Sequence, residues 1–189
     1  MAAGWDGRAL ALAPTAADHP MFVQACADAI VGLAADALGV GRLAAAARLL
    51  ERAGELTAGS GVPRLAVRLQ WVRAELAMAG GYGEEAVAHA RCGIEIAEQA
   101  SPALLRHRVK SDVVLAAALC CAGALESARA VADAALSDTE THGLVPLRWA
   151  LACLLIDIGS ASLTSQQVST IRDDCAGLIT RRGGRWSRG

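Results

Sequence analysis

The sequence is poor in residues on which several classes of protein depend. Its 189 residues include no asparagine, one lysine, one phenylalanine and one tyrosine, and aromatic residues make up 3% of the chain. A sheet protein needs many more aromatic and β-branched residues, so this composition disfavours strands. The formal net charge is −1, which provides no overall field to attract nucleic acid or an anionic membrane.

Long apolar runs and paired cysteines are missing as well. Val113–Leu125, the longest apolar run without a charge, has thirteen residues, whereas a membrane-spanning helix needs about 20. The six cysteines form no CxxC pair, and a free cysteine within an apolar helical stretch behaves as a small buried hydrophobe. The N-terminal residues resemble no targeting signal. We therefore expect a cytoplasmic protein that binds neither membrane nor nucleic acid.

Alanine, by contrast, is abundant, with forty-three copies. It has the highest helix propensity of all residues, and its small side chain lets neighbouring helices approach closely. Leu65, Leu69, Val72 and Leu76 follow one another at helical spacing, as on the buried side of an amphipathic helix. Composition and periodicity together predict an all-α protein.

A Gly-to-Ala signature recurs three times between these alanine-rich stretches. Its copies begin at Gly41, Gly81 and Gly123, at spacings of 40 and 42 residues, and each is followed five residues later by an alanine, at 46, 86 and 128. Self-similarity at such a period is typical of stacked helical hairpins. We predict an α-solenoid of about four antiparallel hairpins, with turns at residues 39–41, 80–83, 123 and 159.

The chain divides into three predicted segments. Residues 1–18 are expected to be irregular, residues 19–181 to form the repeat domain, and residues 182–189 to be a flexible basic tail. Helices are predicted over 20–38, from 63 onward, over 146–158 and over about 164–179, because proline and capping residues mark their first turns. Ser101-Pro102 is interpreted as the cap and first turn of another helix.

At its turns the sequence resembles tetratricopeptide repeats. In that family a glycine and an aromatic residue or leucine lie at the turn, an alanine follows in the second helix, and a second alanine follows seven residues later. The first copy matches this pattern with Gly41, Leu43, Ala46 and Ala53, and the third with Gly123, Leu125, Ala128 and Ala135. The second copy departs from it, because Gly93 stands where the second alanine belongs. The period exceeds the family's length of about 34 residues and is similar to the longer repeats in the sensory domains of LuxR-type actinobacterial regulators.

The resemblance implies a right-handed solenoid whose inner helices line a concave groove. The predicted groove residues are Arg64, Arg68, Trp71, Glu75, Arg106, Lys110 and Trp149. Arginine and tryptophan often dominate binding energy, so we expect a non-enzymatic module that binds a protein or peptide, with an acidic one favoured. The alternatives are a small-effector-sensing domain related to those regulators, and a solvated helix face with both tryptophans in the core.

No motif supports an enzyme, a cofactor or a metal. Gly39–Ala44 matches G-x-G-x-x-A, but a helix precedes it where a dinucleotide site needs a strand. The four histidines are far apart in sequence and have no second ligand at metal spacing, so they are interpreted as structural. The family's device for gripping a terminal carboxylate uses lysines and asparagines, which this chain lacks almost completely.

Overall fold

The computed structural model describes residues 2–12, 21–58 and 60–184, which contain nine α-helices and no strand. The all-α prediction is confirmed. The helices are α1 (Ala2–Leu12), α2 (Met21–Gly39), α3 (Leu43–Ala58), α4 (Pro63–Ala79), α5 (Gly83–Gln99), α6 (Leu105–Cys121), α7 (Leu125–Thr141), α8 (Val145–Ile158) and α9 (Ser165–Arg181).

Most of the helices end in one glycine motif, which α4 illustrates. Gly81 has a φ of 79°, a conformation that only glycine adopts without strain. Its N–H donates to the Met78 carbonyl at 3.0 Å, and the Tyr82 N–H reaches back to the Ala77 carbonyl at 2.9 Å. These bonds satisfy carbonyls that the helix leaves unpaired. The same pair of bonds recurs at Gly41, Gly123, Gly143 and Gly183. The four turns predicted from glycine are confirmed.

Consecutive helices pack against each other, as a hairpin array requires. In addition, α2, α4, α6 and α8 contact one another in order, whereas α3, α5, α7 and α9 make no such contacts within the described residues. We call the first set the inner row and the second set the outer row. The arrangement is compatible with the predicted helical repeat.

The repeated alanines lie in the core. Ala46, Ala86 and Ala128 are completely buried, as predicted from the Gly-to-Ala signature. Gly93, which departs from the pattern, is also buried, and a Cβ there would stand 3.2 Å from Ser111 Oγ. A methyl group at this position would be in tight contact with the Ser111 side chain of α6, which favours glycine in the second repeat.

Two predictions about local structure are wrong. The segment over residues 1–18 is not irregular throughout, since Ala2–Leu12 forms α1, which packs against α2. A Cβ at Gly32 would collide with the Asp6 carboxylate, so this contact depends on a glycine that sequence patterns do not single out. Nor does Ser101-Pro102 begin a helix: α6 starts at Leu105, after a loop that leads from α5.

The last helix lies close to the predicted range of about 164–179. Thr164 caps α9 through a capping box with Gln167, and the helix ends at Arg181. Residues 185–189, in the expected basic tail, lie outside the described residues.

By length and composition, α2 could cross a membrane, which the sequence analysis did not anticipate. Phe22–Gly39 has a mean hydropathy of 1.4 over 18 residues, and a third of this window is buried. A core helix passes the same test. Ile30 and Ala34 are completely buried, and Asp28 pairs with arginines of α4, so α2 is an integral part of the bundle.

Candidate functional site

Most of the predicted groove residues lie together along α4 and α6. Arg64, Arg68, Trp71 and Glu75 recur every three or four residues on α4, so they share one side of that helix. From α6, Lys110 places its Nζ 3.5 Å from the Glu75 carboxylate and 5.7 Å from the centroid of the Trp71 ring. The inner face, as we name this surface, consists of Asp28, Arg64, Arg68, Trp71, Glu75, Arg106, His107 and Lys110.

Trp71 joins the core to the inner face. Its Nε1 donates a 2.7 Å hydrogen bond to Ser111 Oγ, and the half-buried ring packs against the core cluster that contains Ala74 and Leu115. The ring also stacks on the imidazole of His107, with centroids 5.4 Å apart and an interplanar angle of 17°. Neither alternative from the sequence, groove anchor or core residue, describes Trp71 by itself.

Asp28 of α2 is a central residue of the inner face that the sequence analysis missed. Its carboxylate accepts hydrogen bonds from Arg64, at 3.2 and 2.6 Å, and from Arg68. The signal was present in the repeat. Asp28 precedes Arg68 by 40 residues, and Arg68 precedes Lys110 by 42, so one register position carries a charge on three successive inner helices.

His107 was interpreted from sequence as structural, yet it lies among the charges of the inner face. Burial lowers its pKa below the ordinary 6.5, and the positive charges of Arg106, Arg64 and Arg68 lower it further, against the Asp28 carboxylate. The imidazole is therefore neutral near pH 7, which suits a ring that stacks on an indole and lies beside guanidinium groups.

Helix α1 brings a further carboxylate to the charges of α2 and α4. Burial raises the pKa of Asp6 above 3.8, and the nearby Asp36 and Asp28 raise it further, while Arg68 opposes them. One carboxyl oxygen of Asp36 is buried with no hydrogen-bond partner in the described part of the chain. The first two helices thus add negative charge beside the arginines of α4.

Two predicted residues lie at the margins of this arrangement. Arg106 is exposed and makes no ion pair with a described residue, although its charge acts on His107. Trp149 is half-buried on α8, a helix that contacts α6 but makes no described contact with α4. The structure therefore does not place Trp149 on a helix that adjoins the one bearing Trp71.

A second ion network, also missed from sequence, ties α6 to α7. Arg108 of α6 donates to Asp112 of the same helix at 2.9 Å and to Asp138 of α7. Burial raises the pKa of Asp112 from 3.8 to about 6, because the attraction of Arg108 is outweighed by desolvation and by the charges of Asp138 and Glu98. This network holds two neighbouring helices together.

The described histidine, cysteine and acidic side chains form no cluster of metal-binding type, and the cysteines form no disulfide. Across residues 2–12, 21–58 and 60–184, no three His, Cys, Asp or Glu side chains are grouped as a metal site requires. All six cysteines are free thiols, and Cys26 and Cys175 are buried.

Comparison with known proteins gives no relative: no family model matches the chain, and no curated protein or solved structure is significantly similar to it. The resemblance to tetratricopeptide repeats therefore depends on the turn residues and on the packing of consecutive helices.

Proposed function

We propose that this chain is a non-enzymatic binding module that holds a protein or peptide partner on the inner face of a tetratricopeptide-like array. The supporting observation is a cluster of basic groups, one of them without an ion-pair partner among the described residues, beside an aromatic stack. The inner face carries four basic residues, Arg64, Arg68, Arg106 and Lys110, and two carboxylates, Asp28 and Glu75, while Asp6 and Asp36 add negative charge only beside Arg68.

These two carboxylates cannot satisfy all the donors around them. Each arginine has five N–H donors, and Arg64 and Arg68 share the single carboxylate of Asp28. Arg106 makes no ion pair in the described part of the chain. An acidic peptide would supply the missing acceptors, and the edge of the Trp71–His107 stack would add apolar contact of the kind that dominates binding energy.

The proposal makes electrostatics the main source of specificity. Association should then weaken as salt is added, because exposed charges are screened over about 10 Å at 0.1 M ionic strength. A cytoplasmic location, where free thiols stay reduced, belongs to the same proposal.

The test is affinity capture from the native cell, followed by titration of each captured partner. Three proteins are compared: the wild type, the double variant Arg106→Ser/Lys110→Ser, and Arg91→Ser, which removes an exposed charge from α5. We expect an acidic partner that binds the wild type and Arg91→Ser equally and binds the double variant about tenfold more weakly, as lost charge-assisted bonds predict. Equal binding to all three proteins would contradict the proposal.

A further inference from the structure

A cavity of about 540 Å³ opens between α3 and α5, away from the inner face. These two outer helices do not contact each other in the described residues, so α4 forms the floor between them. With 100° of rotation per residue, Ala66 and Arg73 lie about 140–160° away from Arg68 and Trp71 around that helix. The apolar lining includes Val62, Pro63, Ala66, Leu69 and Ile96.

Among the residues that the structure describes, Arg73 is the only charged one that lines this cavity. It is half-buried, and its guanidinium forms neither an ion pair nor a hydrogen bond with any described residue. It lies across Gly54, where a Cβ would stand 2.6 Å from Arg73 Nη2. A carboxylate held beside this half-buried guanidinium, in a cavity with a largely apolar lining, would form a charge-assisted hydrogen bond with it.

The neutral hydrogen-bonding groups of the lining are the side-chain amides of Gln70 and Gln99. The Thr57 hydroxyl is not one of them, because its Oγ1 is fully buried and has no surface open to the cavity. Gln70 bonds to His89 Nδ1 through Oε1, at 2.7 Å, which leaves the amide N–H groups of Gln70 as donors. The cavity thus offers one cation and neutral hydrogen-bonding groups.

The charge of the lining distinguishes this cavity from its neighbour. A second cavity, also of about 540 Å³, is lined by Arg73 together with Glu51 and Glu85, whose carboxylates would repel an anion. In the described part of the chain, no carboxylate lines the cavity that Thr57 borders. An anionic group is therefore favoured on the Thr57 side of Arg73.

We propose that this cavity binds a small organic acid with one carboxylate and an apolar body. The carboxylate pairs with the guanidinium of Arg73 and accepts a hydrogen bond from the Gln70 amide, while the body covers Leu69 and Ile96. A single cation in the lining matches a single negative charge on the ligand. The volume lies within the range of about 300–1,000 Å³ that small-molecule sites occupy.

The first test compares a charged ligand with a neutral one of the same shape. 1-Naphthaleneacetate and 1-naphthaleneacetamide are titrated into the full chain by isothermal titration calorimetry. We expect the acid to bind saturably to one site. The affinity of the amide should be lower by about tenfold or more, because the amide cannot pair with a cation. Absence of saturable binding by the acid, or equal affinity for the two compounds, would overturn the proposal.

Variants then locate the site. Arg73→Gln should weaken acid binding about tenfold and leave amide binding unchanged, while Arg91→Gln, exposed on α5, should bind both as the wild type does. Gln70→Glu keeps the side-chain size and adds a carboxylate to the lining, so it should also weaken binding of the acid, which provides a readout if Arg73→Gln does not fold. Wild-type affinity in a folded Arg73→Gln, or in Gln70→Glu if Arg73→Gln is unfolded, would refute the assignment.

This inference stands apart from the proposed function. Arg106→Ser/Lys110→Ser should bind the acid normally even though it loses an acidic partner. In nuclear magnetic resonance spectra, the acid should shift the amide signals of Gly54 and Ala66. If only the Trp71 indole signal moves, the acid binds the inner face and the cavity is not its site.

Discussion

The indole N–H of Trp71 on α4 bonds to the hydroxyl of Ser111, a completely buried side chain on α6, at 2.7 Å. Ser111 Oγ also occupies the space beside Gly93 of α5, where a methyl group would otherwise stand. One hydroxyl thus fixes the separation of three helices at the point where the core reaches the inner face.

Removing the indole donor should destabilise the protein, because Ser111 is then left unpaired in the core. We expect Trp71→Phe to lower the free energy of unfolding by about 1–3 kcal/mol, and Ser111→Ala in the same chain to restore part of that loss. Urea unfolding followed by circular dichroism measures both effects. A full double-mutant cycle without coupling would show that the bond contributes nothing to stability.

The pKa of His107 should respond in opposite directions to two changes of charge. Arg106→Gln removes a cation and should raise this pKa, whereas Asp28→Asn removes an opposing anion and should lower it further. Because the folded-state pKa lies below the unfolded value, His107 stabilises the fold above pH 6.5 and this stability is lost as pH falls through the folded pKa. Titration of the imidazole by nuclear magnetic resonance measures the shifts, and Arg91→Gln is the control.

Asp112 should make the fold less stable as pH rises from about 4 to about 7. Its folded-state pKa, about 6, lies above the ordinary 3.8, so the stability that it contributes is present below pH 3.8 and is lost as pH rises through 6. We expect Asp112→Asn to match the wild type near pH 4 and to exceed its free energy of unfolding by about 1–2 kcal/mol near pH 7, after allowance for solvent screening.

That expectation can be checked by chemical unfolding across the pH range. Arg108 keeps Asp138 as its partner in the variant, so the network is reduced rather than abolished. A variant that is less stable than the wild type at pH 7 would mean that the attraction between Arg108 and Asp112 exceeds the cost of burying the carboxylate.

The buried alanines of the repeat should tolerate no enlargement. Ala128 is completely buried, and its replacement by leucine should overpack the core and cost about 1–3 kcal/mol. Ala130→Leu, an exposed substitution on the same helix, should change stability by less than about 0.5 kcal/mol. Thermal unfolding distinguishes the two, and equal melting temperatures would argue against the repeat register on which the fold prediction depended.

Helix boundaries were predictable where local chemistry sets them. Gly81 and the equivalent glycines end their helices through backbone hydrogen bonds between residues that are close in sequence. These helix ends can therefore be predicted from the local sequence. Helix α1 was not predicted, because it packs on α2 through a contact between Asp6 and Gly32, and these residues are far apart in sequence. Asp28 was missed for the same reason, although the repeat spacing links it to Arg68.

In the candidate site, too, local features could be predicted from the sequence and contacts between helices could not. One side of α4 could be derived from helical periodicity, which placed Arg64, Arg68, Trp71 and Glu75 together. The partners of those residues could not, because Ser111 and His107 reach Trp71 only through the packing of α6 on α4. The cavity at Arg73 was equally invisible, since it exists only because two outer helices stand apart.

For residues 2–12, 21–58 and 60–184, contacts between helices are confined to neighbours along the chain and to the next helix of the inner row. Opening of α8 and α9 would therefore cost the contacts to α6 and α7 and leave those of α2–α5 intact, as in a one-dimensional array. Amide protons should exchange fastest at both ends and slowest in α4–α6. With this gradient of local stability, the inner face around Trp71 would stay formed while the terminal hairpins open and close. A partner bound there would contact the most stable part of the array.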